Sequence, residues 1–163
     1  MTIRRAAHFV PGANEKMLMK SLDTAADALI LDLEDAVTPE NKDSARVTVA
    51  SWLREVDFGR QERVVRVNPL DSPWFTKDIE ETMVTPPDSY LIPKVNNASE
   101  IAQIADLVSE QVRLLGHVAG AVQLLIFGTE TPPRALQDAP RASIEPLRAP
   151  KAAPRAHPSP PTV

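Results

Sequence analysis

The sequence predicts an α/β fold built on a parallel sheet, and three observations carry that prediction. Five short apolar runs of strand length recur along the first 127 residues. The intervals between them carry apolar residues at helical spacing, so strand and helix alternate. Of the 163 residues, 43% are hydrophobic and 25% charged, which suits one domain with a sizeable core. Alternation of this kind builds a parallel sheet, either doubly wound or closed as a barrel.

The first strand is read in "AAHFV", and "NEKMLMKSLDTAA" follows as a helix with Met17, Leu18, Ser21 and Leu22 on one face behind Asn14 as N-cap. "ALILDL" is the second strand. Thr38 and Pro39 open the next helix, in which Ala45, Val49, Trp52, Leu53 and Val56 recur at helical spacing. "RVVRV" is the third strand, with a short helix near residues 76–83. "YLIPKV" is the fourth, and "NASEIAQIADLVSEQVRLL" is a long amphipathic helix with Asn97 and Glu100 at capping-box spacing. "AVQLLIF" is the fifth strand.

A compositional break follows. Nine of the 16 prolines fall after residue 131, and residues 131–163 carry net charge +3, which leaves the rest of the chain at −7. Each proline removes a backbone donor and resists helix and central-strand geometry, so residues 137–163 are expected to be a disordered tail behind a domain spanning 1–136. An acidic folded part lacks the clustered Lys and Arg that phosphates require, which argues against a nucleic-acid partner. No apolar run approaches the ~20 residues of a membrane span. His8 and Pro11 interrupt the only apolar stretch near the amino terminus, so no export signal is read there. The chain has no cysteine, which excludes disulfides and thiolate chemistry and fits a cytoplasmic address.

Chemistry in a parallel α/β sheet sits at the carboxyl ends of the strands. Asp32, Glu34 and Asp35 end the second strand. On the third, Val64, Arg66 and Asn68 share one face by the two-residue period. The fourth ends in Lys94, and the fifth runs through "FGTET" to Glu130. A single strand-end carboxylate is commonly a helix cap or a solvated loop residue. Four successive strands delivering ionisable groups to one rim point instead to a shared site, because buried charges need partners.

These blocks carry a family resemblance. "HFVPGANEKM", "LDLEDAV", "VRVNPLDSPW", "LIPKV" and "TET", in this order over residues 4–136, resemble the citrate lyase beta-subunit group of the HpcH/HpaI aldolase superfamily. The resemblance implies a (β/α)8 barrel, commonly a homo-oligomer. It also implies cleavage or formation of a carbon–carbon bond in an acyl-CoA thioester such as citryl-CoA or malyl-CoA, with Mg²⁺. By motif, the catalytic arginine falls on Arg66, the acidic pair on Glu34 and Asp35, and a metal-binding glutamate on Glu130. Asp32, Glu34 and Asp35 each stand as orienters of metal-bound water or as proton acceptors, and the sequence does not rank them. Two readings stand for Pro11, Gly12 and Asn14: a plain turn, or a turn whose N–H groups meet CoA phosphates at a helix N-terminus.

The chain departs from that pattern after its fifth strand. A (β/α)8 barrel takes about 250 residues, and no sixth to eighth strand and no second metal-binding aspartate is legible beyond Glu130. The expectation is therefore a partial barrel of about five βα strands. The tail's Arg, Ala, Pro, Ser and His content, with no glycine after Gly128, resembles a high-GC gene read out of frame. Two functions follow as alternatives: a carbon–carbon lyase of the citrate lyase beta-subunit type, or an inactive truncated homologue serving as an interaction fragment.

Overall fold

The computed structural model describes residues 4–128, and the segment 137–163 and Glu130 lie outside them. In chain order the elements are β1 (Ala7–Pro11), α1 (Glu15–Leu22), β2 (Ala28–Asp32), α2 (Lys42–Glu55), β3 (Glu62–Arg66), α3 (Phe75–Thr82), β4 (Ser89–Val95), α4 (Ala98–Leu114) and β5 (Gln123–Gly128). The five strands are all parallel, and their spatial order is their sequence order. A doubly wound sheet reverses its strand order at a switch point. This one does not, so the described residues form five strands of a (β/α) barrel.

The sheet has two apolar faces. Toward the helices, Val10, Leu29, Leu31, Val65, Tyr90 and Ile92 pack against Leu18, Ala45, Val49, Trp52, Ile79 and Ile104 in one continuous core. The other face, the barrel interior, is a smaller cluster of Ala28, Ile30, Val64 and Leu91 with Leu125 beside it. Every residue of β2 is buried, which is why "ALILD" reads as an unbroken apolar run up to its final carboxylate. A groove of about 980 Å³ lies away from the strand-end rim, along α4 and the start of β5, where Ala105, Val108, Val112 and Val122 line it.

Local chemistry sets the element ends. Asn14 caps α1 by accepting from the Met17 amide at 3.0 Å. Thr38 and Pro39 open a single 3₁₀ turn, Pro39–Asn41, and α2 begins only at Lys42, three residues later than the sequence pattern places it. At α4 the Asn97 side chain accepts from the Glu100 amide at 2.9 Å. The return bond goes to the Asn96 amide, one residue before the position a capping box uses.

Strand β4 contains an irregularity that bears on the site. Ile92 pairs with Ile126 and Val95 with Gly128, so β4 advances three residues while β5 advances two. Proline 93 cannot donate to the ladder, and Lys94 has φ of 54°, the left-handed region that side-chain-bearing residues seldom occupy. The extra residue is a β-bulge, and a bulge reverses the alternation of side chains. Regular alternation would place Lys94 beside Tyr90 and Ile92 under the helices. Instead Val95 enters that core and Lys94 emerges at the rim.

Candidate active site

Strands β2 and β3 are in register, with Asp32 opposite Arg66. Their side chains meet on the interior side of the rim. Arg66 Nε donates to Asp32 Oδ1 at 2.8 Å and Nη2 donates to Oδ2, a bidentate fork on a carboxylate that is 2% exposed. The Glu34 amide, at 2.8 Å, and the Ala36 amide, at 3.3 Å, donate to the same two oxygens. Asp32 therefore accepts four hydrogen bonds and fixes the guanidinium. Phe9 on β1 lies against the guanidinium face, with Cζ 5.0 Å from the ring centroid. The hydrogen bonds that Arg66 donates to Asp32 come first in holding its pKa above the ordinary value, so Arg66 is a permanent cation.

Glu34 is buried and bridges two strands. Its Oε2 is 3.1 Å from Arg66 Nη1, and its Oε1 is 2.9 Å from Lys94 Nζ. The Lys94 contact lacks hydrogen-bond geometry, and Oε1 remains a buried acceptor without a directed donor. Asp35, at 3.5 Å from Arg66 Nη1, is largely exposed. The rim thus holds three carboxylates and two cations.

The loop that carries these acids is fastened from below. Lys42, buried at the start of α2, donates to the carbonyls of Leu33 and Glu34 and to Asn68 Oδ1, at 2.7, 2.6 and 2.7 Å. Burial lowers the pKa of its ammonium. Asn68 in turn donates to Asp78 at 2.7 Å, and Asp78 accepts from the buried Arg46 at 2.9 Å. Asn68 is therefore not beside Arg66, as the two-residue period places it. β3 ends at Arg66, the period ends with it, and Asn68 turns under the loop on the helix side.

Gly12, Pro11 and Asn14 form a turn pressed onto the end of β2. A Cβ at Gly12 would lie 2.8 Å from the Asp32 carbonyl oxygen, which explains the glycine. The Gly12 amide donates to that oxygen at 2.9 Å and the Asn14 amide to Pro11 O at 3.0 Å. Those two amides are engaged within the fold, and a phosphate at this turn would meet the remaining amides of the first turn of α1.

Of the residues singled out by sequence, Asp32, Glu34, Asp35 and Arg66 converge, the Pro11–Asn14 turn stands behind Asp32, and Glu130 lies outside the described residues. Phe9, Lys42 and the link from Lys94 to Glu34 were not read as parts of the site. Proline 93 within an apolar strand was the available signal for the bulge. Among the described residues no three His, Cys, Asp or Glu side chains are arranged to hold a metal. All three rim acids lie within 3.5 Å of a cation, which fits acceptors for metal-bound water better than direct ligands.

Comparison with known proteins agrees with this fold. Residues 5–140 match the model of the HpcH/HpaI aldolase/citrate lyase family. A (3S)-malyl-CoA thioesterase of Cereibacter sphaeroides is 41% identical over 106 residues, 65% of this chain and 37% of that protein. A solved citrate lyase beta subunit from M. tuberculosis, complexed with oxaloacetate and magnesium, is 30% identical at a TM-score of 0.54, over 64% of this chain and 46% of that one. A citrate lyase from Burkholderia xenovorans LB400 shares the fold at a TM-score of 0.66 and 22% identity, over 76% of this chain and 40% of that one. The chain thus spans about two fifths of the length of the curated relative, and with the family motifs in place along it, it belongs to the HpcH/HpaI aldolase/citrate lyase family.

Proposed function

We propose that the barrel to which this segment belongs is a carbon–carbon lyase acting on a 3-hydroxyacyl-CoA thioester of the citryl-CoA or malyl-CoA type. The observation that carries this reading is Arg66, locked by Asp32 and covered by Phe9 at the carboxyl ends of the strands. Cleavage leaves an enolate on the thioester oxygen, and a fixed guanidinium answers that charge without losing its proton. Asp32 has its oxygens filled and serves to aim Arg66. Glu34, with Oε1 unengaged by a directed donor, is suited to take the hydroxyl proton as the carbon–carbon bond breaks. Asp35, exposed at the mouth, is suited to orient water there.

Mg²⁺, when bound, would supply the charge that draws out the new carbonyl and neighbouring carboxylate of the acid fragment. Glu130 is the proposed direct ligand, with Asp35 orienting metal-bound water at the mouth. The CoA phosphates would meet the first turn of α1, beside Pro11, Gly12 and Asn14. A homo-oligomer and a cytoplasmic setting complete the reading, which draws support from the family match. No helix among the described residues is long and apolar enough to cross a membrane.

The test is a chimaera joining residues 1–128 to the later strands of a citrate lyase beta subunit, assayed with malyl-CoA and Mg²⁺. Acetyl-CoA and glyoxylate in equal amounts support the lyase reading. Malate and free CoA would assign thioester hydrolysis, the activity that names the Cereibacter relative. An inert but folded chimaera would favour the second reading, an interaction fragment.

A further inference from the structure

Lys94 is placed with a care that its visible contact does not explain. Three features converge on it: Pro93, the bulge that reverses the alternation of β4, and a left-handed backbone at a residue with a side chain. Strain of this kind persists where surrounding structure over-determines it, and it gathers at ligand-binding sites. The return within the molecule is small. Lys94 is 62% exposed, and an ion pair with one partner in solvent contributes little. Its contact with Glu34 also lacks hydrogen-bond geometry, unlike the bidentate lock between Arg66 and Asp32.

Charge count gives the placement a purpose. Without Lys94, Arg66 alone would face Asp32, Glu34 and Asp35. Such a rim, one cation against three carboxylates, would carry −2 and repel an anion, and Lys94 brings it to −1. With Lys94 there are two cations on either side of the Glu34 carboxylate, the second of them exposed and free to turn its donors to a ligand.

We infer that Lys94 is the second anion-binding residue of the site, exchanging its contact with Glu34 for a carboxylate on the acid half of the substrate while Arg66 attends to the thioester half. This rests on the functional reading above and deepens it. The ligand class is a small dicarboxylate, and the bulge is the device that brings the ammonium over the rim.

Malonate is the probe, titrated calorimetrically in Mg²⁺-containing buffer against the 163-residue chain and its Lys94→Gly, Lys94→Met, Lys94→Arg and Arg66→Lys variants, with thermal midpoints recorded for each. Loss of a charge-assisted hydrogen bond should weaken malonate about tenfold in Lys94→Gly and Lys94→Met, and Lys94→Arg should retain most of the affinity. Glycine relieves the left-handed strain, so Lys94→Gly should melt at or about 2 °C above the parent although it binds worse. If Lys94→Gly binds malonate like the parent while Arg66→Lys does not, the inference about Lys94 is overturned and the site reading stands. A midpoint that falls in Lys94→Gly as far as in Lys94→Met would make Lys94 a stabilising partner of Glu34 and also overturn it. If the parent chain does not bind malonate, or Arg66→Lys binds it equally, the site reading fails and the inference falls with it.

Discussion

The two ends of the same interior face handle charge in opposite ways. At the amino-terminal ends of the strands, Arg4 and Glu62 form one ion pair with bonds at 2.6 Å and 3.3 Å to Glu62 and Gln123, and Ser89 donates to Glu62 at 2.6 Å. One cation meets one carboxylate, and the neighbouring hydroxyl and amide are satisfied. At the carboxyl ends, three carboxylates meet two cations, a buried oxygen lacks a directed donor, and a lysine sits in a left-handed backbone. Glu62 and Arg66 lie on one face of one strand, at its opposite ends. In barrels of this kind the amino-terminal end reads as stability and the carboxyl end as chemistry, and here charge is matched at the first end and unmatched at the second.

The largest effect expected from this comparison is complete loss. Phe9 and Phe127 are 41% and 62% exposed, and β1 and β5 are the two edges of the described sheet. Exposed edges and apolar surface invite association. The 163-residue chain on its own should elute broadly and with concentration dependence in size-exclusion chromatography, and release no detectable acetyl-CoA from citryl-CoA or malyl-CoA. A sharp monomer peak with metal-dependent cleavage would show that the rim works without further strands and would break the contrast.

Next comes substitution at each end in the active chimaera. Arg66→Lys keeps the charge but not the fork that Asp32 holds, and turnover should fall by about two to three powers of ten with the fold intact. Arg4→Met should leave turnover nearly unchanged and lower the thermal midpoint instead. Equal effects of both substitutions on turnover would erase the functional difference between the ends.

Metal binding should be a smaller signal. With the rim acids engaged by Arg66 and Lys94, and Glu130 proposed as direct ligand, Mg²⁺ is expected to bind the 163-residue chain in the millimolar range or not at all. Calorimetric titration giving micromolar affinity that survives Glu130→Gln would contradict that assignment.

How far the site was legible follows from the range of each interaction. Strand and helix order, and the carboxylates closing β2, are written in local periodicity, and they appear where that periodicity puts them. The choice between a doubly wound sheet and a barrel depends on which strands pair, which no single segment encodes. Asn68 illustrates the limit of a period: the two-residue rule held through Arg66 and failed when the strand ended. No local pattern singles out Lys42, whose buried ammonium is held by carbonyls eight and nine residues earlier. Phe9 is one letter of the first apolar run, and its partner is the guanidinium of a strand two places away in the sheet.

The smallest effect, and one confined to the amino-terminal half of the comparison, is acid destabilisation. Glu62 has its pKa lowered, chiefly by the hydrogen bond from Arg4. Burial works to raise that of Asp88, but the side-chain and backbone bonds from Arg63 outweigh it and the net direction is down. For a carboxyl whose folded pKa lies below the unfolded one, the stabilising contribution is complete above the unfolded value, about 4, and is lost as pH falls through the folded value. Both pairs are partly solvated, so each contributes about 0.5 to 1 kcal/mol after screening. The thermal midpoint should therefore drop by a few degrees beyond the general trend between about pH 5 and about pH 3. Arg4→Met and Arg63→Met should each start from a lower midpoint at neutral pH and show a shallower acid limb, because the carboxyl left behind returns toward its ordinary value. If Arg4→Met keeps the parent's full acid limb, Glu62 is not held by Arg4, and the amino-terminal end loses its claim to be the stabilising one.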